Sequence, residues 1–351
     1  MASMPGGFID SVRVMNITRN SGSLLIDNIR LFELLSLLQH GILRKFETTE
    51  PISARTLGLL IKGQPQLRGL TARICNNDAS DRPPDRRYTK GNLKSLESLR
   101  IMVNRDQREY DAWFAHTPSL RTLLVSGPLG SPRGRFTPWQ SQVQLMRFEN
   151  LKLVNLNLEP RSGRLDAWTD LSRLQNLIIR SCDGLATFMV DLSKAYSNLK
   201  VFPRSFSLLV DVSEGCFDPL MDILRSMHGL EYLYISTATA EKLHRSSLKN
   251  HATSLRYFLL DTTRPYSPEH GVFKSSACRH DSAYLLQLAK LCPQIEELGI
   301  GLPRIRALNR VHNGSFSWSS EGKRSKNETL LTSSLVSTIH NPKIILRLTK
   351  L

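Results

Sequence analysis

The sequence predicts an α/β fold of the solenoid kind, a curved parallel sheet with helices on its outer face. Two observations lead there. An apolar triplet at offsets 0, 3 and 5 recurs along the chain at a nearly regular interval, and helix-like segments fill the space between copies. The triplet opens with a turn-like spacing and then switches to the period of two that marks a strand.

Taken in order, the full copies are Leu96, Leu99, Ile101; Leu120, Leu123, Val125; Phe148, Leu151, Leu153; Leu174, Leu177, Ile179; Leu230, Leu233, Ile235; Leu255, Phe258, Leu260; and Ile295, Leu298, Ile300. Weaker copies begin at Leu43 (with Phe46), Leu67 (with Leu70 and Ala72) and Leu199 (with Phe202). Successive starts are 24, 29, 24, 28, 26, 25, 31, 25 and 40 residues apart. Three residues beyond the triplet stands Cys75, Asn104, Cys182 or Thr263 in four copies. A small polar side chain there can satisfy backbone groups where the chain turns away. This is the L-x-x-L-x-L-x-x-N/C spacing of leucine-rich repeats. Such a unit cannot bury its apolar face alone, so stacking is what stabilises it.

Between the triplets, Leu185, Phe188, Met189, Leu192, Ala195 and Tyr196 follow helical spacing. So do Phe217, Leu220, Met221, Leu224 and Met227, where Asp218 is expected to cap and Pro219 to occupy the first turn. Further helices are expected at 29–38, at 53–62 before Gly63, and at 282–292 before Pro293. The expected solenoid covers 1–305, with loops inserted at 76–92, 127–142 and 262–280. Residues 306–351 are expected to form an irregular, partly disordered C-terminal segment, with NPKIILRLTKL as a candidate closing strand.

Of the 351 residues, 47 are Lys or Arg and 31 are Asp or Glu, a formal charge of +16 that favours encounters with acidic partners. Some of it lies in loop-like stretches such as RPPDRRYTKGNLK, GSPRGRF and EGKRSKNE. No stretch approaches the roughly 18 apolar residues of a membrane helix, and MASMPGGFIDSVRV lacks a signal-peptide core, so a cytoplasmic or nuclear address without a membrane is expected. The five cysteines are scattered with no C-x-x-C pair, which argues against a disulfide framework or a structural zinc site.

Catalytic motifs are missing. Gly127, Gly130 and Gly134 are not followed by the Lys-Ser/Thr of a phosphate loop, and neither G-x-S-x-G nor H-E-x-x-H occurs. His244 with His251, and Cys278 with His280, lack enough neighbouring ligands for a metal. No enzyme, cofactor or metal is therefore expected. A surface is what the pattern offers, because residues alternating with the inward positions face the other side of the sheet. Those positions supply Arg73, Arg100, Lys152 and Arg180 in the first half and Tyr232, Tyr234 and Tyr257 in the second. Arginine and tyrosine bring contact area together with directed hydrogen bonds, so these seven residues are the expected partner-binding set.

Through PISARTLGLLIKGQPQLRGL, LSRLQNLIIRSCDGL and LLQLAKLCPQIEELGIGLP, roughly residues 10 to 305, the chain resembles fungal leucine-rich-repeat proteins of the F-box type. That resemblance implies a substrate receptor whose N-terminal F-box docks on the adaptor of a ubiquitin ligase. Only about ten residues precede the strand-like VRVMNI, which leaves no room for an F-box. The expected role is a non-enzymatic scaffold that grips a protein partner on a concave sheet face without the ligase adaptor. The alternative is a basic protein associated with nucleic acid through its basic loops.

Overall fold

In the computed structural model, the residues described are 13–17, 28–74, 93–103, 117–127, 134–135, 145–159, 166, 169–199, 203, 205–212, 215–237, 243–261, 282–301 and 343–347. The strands are β1 (Val14–Ile17), β2 (Lys45–Ile52), β3 (Gly69–Ile74), β4 (Ser98–Val103), β5 (Thr122–Ser126), β6 (Gly134–Arg135), β7 (Asn150–Val154), β8 (Leu156–Asn157), β9 (Asn176–Arg180), β10 (Phe206–Val212), β11 (Leu230–Thr237), β12 (Tyr257–Asp261), β13 (Glu297–Gly301) and β14 (Lys343–Arg347). The helices are α1 (Asn28–Leu37), α2 (Ala54–Gly63), α3 (Leu185–Ser197), α4 (Phe217–Ser226), α5 (Arg245–Leu248) and α6 (Ser282–Leu291).

Twelve of the strands form one sheet in the order β1-β2-β3-β4-β5-β7-β9-β10-β11-β12-β13-β14, while β6 and β8 make a separate parallel pair. From β1 to β13 every pairing is parallel, and β14 closes the sheet antiparallel to β13. The triplets fix this arrangement. Leu99, Leu123, Leu151 and Leu177 stand side by side in register, as do Ile101, Val125, Leu153 and Ile179. All eight are buried. Alternate residues on β5 and β7 remain partly accessible, so one face carries the core and the other meets solvent.

The expected copy at Leu199 is misplaced. Its strand is β10, where Phe206 pairs with Leu230, Leu208 with Leu233 and Val210 with Ile235 across a register shift after Phe206. One residue fewer separates the first two apolar positions, so the 0, 3, 5 pattern becomes 0, 2, 4. Its accessible face adds Ser207, Leu209 and Asp211 to the rows read from the sequence.

Helices α3 and α4 bury Leu185, Met189, Leu192 and Tyr196 and then Leu220, Met221, Ile223 and Leu224 in the same core as the strand leucines. The N-cap of α4 is Cys216, so Asp218 lies inside the first turn instead of capping it, while Pro219 occupies the first turn as expected. At α2, Ser53 accepts a hydrogen bond from the Thr56 backbone N–H at 3.1 Å and caps the helix, and Leu57, Leu60 and Ile61 are buried behind β2 and β3. At the end of β5, the Gly127 N–H donates to the Val154 carbonyl, and a Cβ on Gly127 would stand 2.1 Å from the Asn155 carbonyl oxygen. Only glycine permits that approach.

The curved solenoid expected from the repeats is not what forms. The protein is a mixed α/β fold with a large parallel sheet that is not strongly curled. Curl arises when every strand is backed by something wider than itself, since packed helices lie 8–10 Å apart whereas strands lie about 4.8 Å apart. Among the described residues, the links from β3 through β9 contain turns and the short 3-10 turn Leu171–Arg173 but no α-helix. Among the described residues, α-helices back the sheet only before β3 and after β9.

The expected loops at 76–92 and 262–280 and most of that at 127–142 lie outside the described residues, apart from Gly127 and the short β6. The same holds for 306–342, while 343–347 form β14.

Candidate functional site

The accessible face of the sheet gathers the residues singled out from the sequence into parallel rows. In one row, Arg100 stands beside Leu124 and Leu124 beside Lys152, followed by Ile178, Leu209, Tyr234 and Leu259. The neighbouring row runs Thr122, Asn150, Asn176, Ser207, Tyr232, Tyr257 and Glu297. Arg73 pairs in register with Met102, one step further along the strands than Arg100.

Three kinds of chemistry divide this face. At the N-terminal end, Arg73 and Arg100 are exposed and Lys152 is half-buried. None of the three has an ion-pair partner among the described residues. Arg180 differs, because its Nε lies 3.5 Å from the Asp211 carboxylate, which neutralises it locally. In the middle, Asn176 donates to Asn150 Oδ1 at 2.6 Å and Asn150 donates to Thr122 Oγ1 at 3.1 Å, a polar ladder that satisfies neighbouring side chains across three strands. Towards the C-terminal end, the Tyr232 and Tyr257 ring centroids are 6.0 Å apart with planes tilted by 37°. The Tyr257 hydroxyl donates to Glu296 at 3.3 Å. Leu259 lies across the next strand because Gly299 has no Cβ, which would otherwise stand 2.6 Å from the leucine methyl.

The expected set is thus brought to one face, with Arg180 drawn into an ion pair. Four further residues share the Arg100 row: Leu124 stands between Arg100 and Lys152, Ile178 and Leu209 join Lys152 to Tyr234, and Leu259 follows Tyr234. Alternation with the buried Leu123, Leu177 and Phe258 turns Leu124, Ile178 and Leu259 outward, whereas the shortened spacing of β10 conceals Leu209 from a 0, 3, 5 pattern.

The histidines noted in the sequence serve the fold. His251 is fully buried, its Nε2 lies 2.8 Å from the Leu224 carbonyl, and its Nδ1 accepts from the Leu230 N–H at 3.4 Å. Burial lowers its pKa to about 4, against a smaller upward effect of the Leu224 hydrogen bond and a further lowering by His228. His244 caps α5 by accepting from the Ser246 N–H. Cys182 donates to the Arg180 carbonyl at 3.2 Å, the backbone role expected of that repeat position. Cys75, Asn104, Thr263, Cys278 and His280 lie outside the described residues. Burial pushes the Cys292 thiol up to about 11. Among the described residues no group of three or more His, Cys, Asp or Glu is placed to hold a metal, and no helix is long and apolar enough to cross a membrane.

No protein-family model and no curated protein matches the chain. Together with the sheet's lack of strong curl, this overturns the resemblance to leucine-rich-repeat proteins of the F-box type and the ubiquitin-ligase role that came with it. The expected grip on a protein partner falls as well, because it required a concave surface and the sheet does not provide one. What the fold and its accessible face define is an α/β protein presenting a broad, weakly curved sheet surface that is cationic at one end and aromatic at the other.

Proposed function

We propose that this chain is a non-enzymatic, nucleic-acid-associated protein, and that the sheet face is where the nucleic acid lies. The observation that carries this reading is the group of Arg73, Arg100 and Lys152, three cations on one face with no carboxylate neutralising them among the described residues. Arg100 and Lys152 are two strands apart in one row, about 10 Å, and Arg73 stands one strand over. Cations at that spacing neutralise successive charges of an extended polyanion, whereas a compact acid would reach only one of them. The net charge of +16 acts in the same direction by raising encounter rates with polyanions. The reading implies work in the cytoplasm or nucleus, where nucleic acid is found.

The test is fluorescence anisotropy of a labelled single-stranded RNA titrated with the full chain between about 50 and 200 mM salt. Each phosphate neutralised on a single strand contributes about 0.7 to the slope of log affinity against log salt, so Arg100→Gln with Lys152→Gln should lower that slope by about 1.4. No retention at the lowest salt, or a slope that ignores both substitutions, overturns the proposal.

A further inference from the structure

We infer that the nucleic acid held here is single-stranded and that its bases stack on Tyr232, Tyr234 and Tyr257; this rests on the reading of the face given above. Tyr232 and Tyr257 are nearest neighbours on β11 and β12, and Tyr234 lies two residues along β11 on the same face. All three are half-buried, so part of each residue meets solvent. Tyr234 shares a row with Lys152 across three strand spacings, about 14 Å. Only Ile178 and Leu209 lie between them in that row. An apolar floor of this kind suits the faces of unpaired bases and not a sugar-phosphate chain.

A duplex has its base faces stacked inside and offers a sheet only phosphates and groove edges. A single strand anchored by its phosphates over β3 to β7 can lay its next bases over β9 to β12. The tyrosines then supply the stacking that makes single-strand binding tolerant of sequence. Glu297 follows Tyr257 in its row, and Glu296 is held by the Arg256 guanidinium at 3.7 Å and by the Tyr257 hydroxyl, so the face turns acidic past the tyrosines and the footprint ends at β12.

The experiment compares three probes on the full chain, a single-stranded RNA, the duplex of the same sequence, and heparin, a polyanion without bases. The expected result is tighter binding of the single strand than of the duplex. Tyr232→Leu with Tyr257→Leu should weaken the single strand roughly tenfold or more while leaving heparin unchanged, and the two Phe variants should restore it. Equal binding of duplex and single strand, or Leu variants that bind the strand as the parent does, overturns the inference while leaving the cationic reading in place. So does a change confined to concentration-dependent self-association, which would assign the tyrosine end to a second copy of this chain. Failure to retain any probe, heparin included, overturns the cationic reading and the stacking inference together. Unchanged melting of the Leu variants separates these outcomes from loss of fold.

Discussion

Lowering the pH should destabilise this protein through His251, and the structure sets the size of the effect. The imidazole is fully buried between the end of α4 and the start of β11, where it bonds the Leu224 carbonyl and the Leu230 N–H. It is neutral there, because burial lowers its pKa from 6.5 to about 4. The unfolded chain therefore binds a proton that the folded chain refuses between these two values, and stability falls as pH drops through that window. The loss begins near pH 6.5, is complete near pH 4, and comes to about 3 kcal/mol at about 1.4 kcal/mol per pKa unit. Urea unfolding at a series of pH values measures it against His251→Gln, which cannot charge. At neutral pH the variant should be weaker by about 1–2 kcal/mol, since glutamine does not satisfy both backbone groups together. The gap between the two proteins should then close or reverse towards pH 4. Parallel stability curves across the whole range would refute the argument, because the His251 environment would then not be what depresses its protonation.

Two further substitutions probe the core. Leu177→Asp places a carboxylate at a position with 0 % exposure, between the in-register Leu151 and Leu208, and should destabilise by about 3–5 kcal/mol. An unmoved melting temperature would show that the strand register is wrong. Tyr196→Phe should leave stability unchanged or raise it by about 1 kcal/mol, because the buried hydroxyl has no hydrogen-bond partner among the described residues while its ring packs edge-on against Phe206 at 5.9 Å. A lower melting temperature would mean that the hydroxyl is satisfied.

The strands were legible because the 3-then-2 spacing acts directly on burial. Leu96, Leu99 and Ile101 are all inside, as are the equivalent residues of the neighbouring strands. Where the pattern weakened, a physical reason is visible. The third position of the Leu43 copy is Thr48, which is buried although polar because its hydroxyl accepts from the Glu50 N–H at 3.0 Å. In β10 the register shift after Phe206 shortens the interval by one residue, so its apolar positions fall at offsets 0, 2 and 4 and escape the 0, 3, 5 pattern. The role of His251 was not legible, since its partners lie 21 and 27 residues away and are backbone atoms that any residue would supply. Curvature was not legible either. It depends on the width of the layer behind each strand, and leucines inside a strand carry no record of whether the following link becomes a helix or a turn.

The lack of strong curl decides what kind of ligand the candidate face suits. A curled sheet turns its side chains towards a common centre, and residues many strands apart then converge on a single globular partner. On a weakly curved sheet they do not converge. Arg100 and Tyr257 are six strands apart, about 29 Å, and each meets a different part of whatever lies on the surface. Such a face favours a ligand that is itself extended and that changes character along its length or across its width. A polynucleotide strand has both properties, with charge on its backbone and apolar faces on its bases. The same cations and tyrosines that would suggest a protein-gripping hollow on a horseshoe therefore argue for an extended, charged and aromatic ligand here.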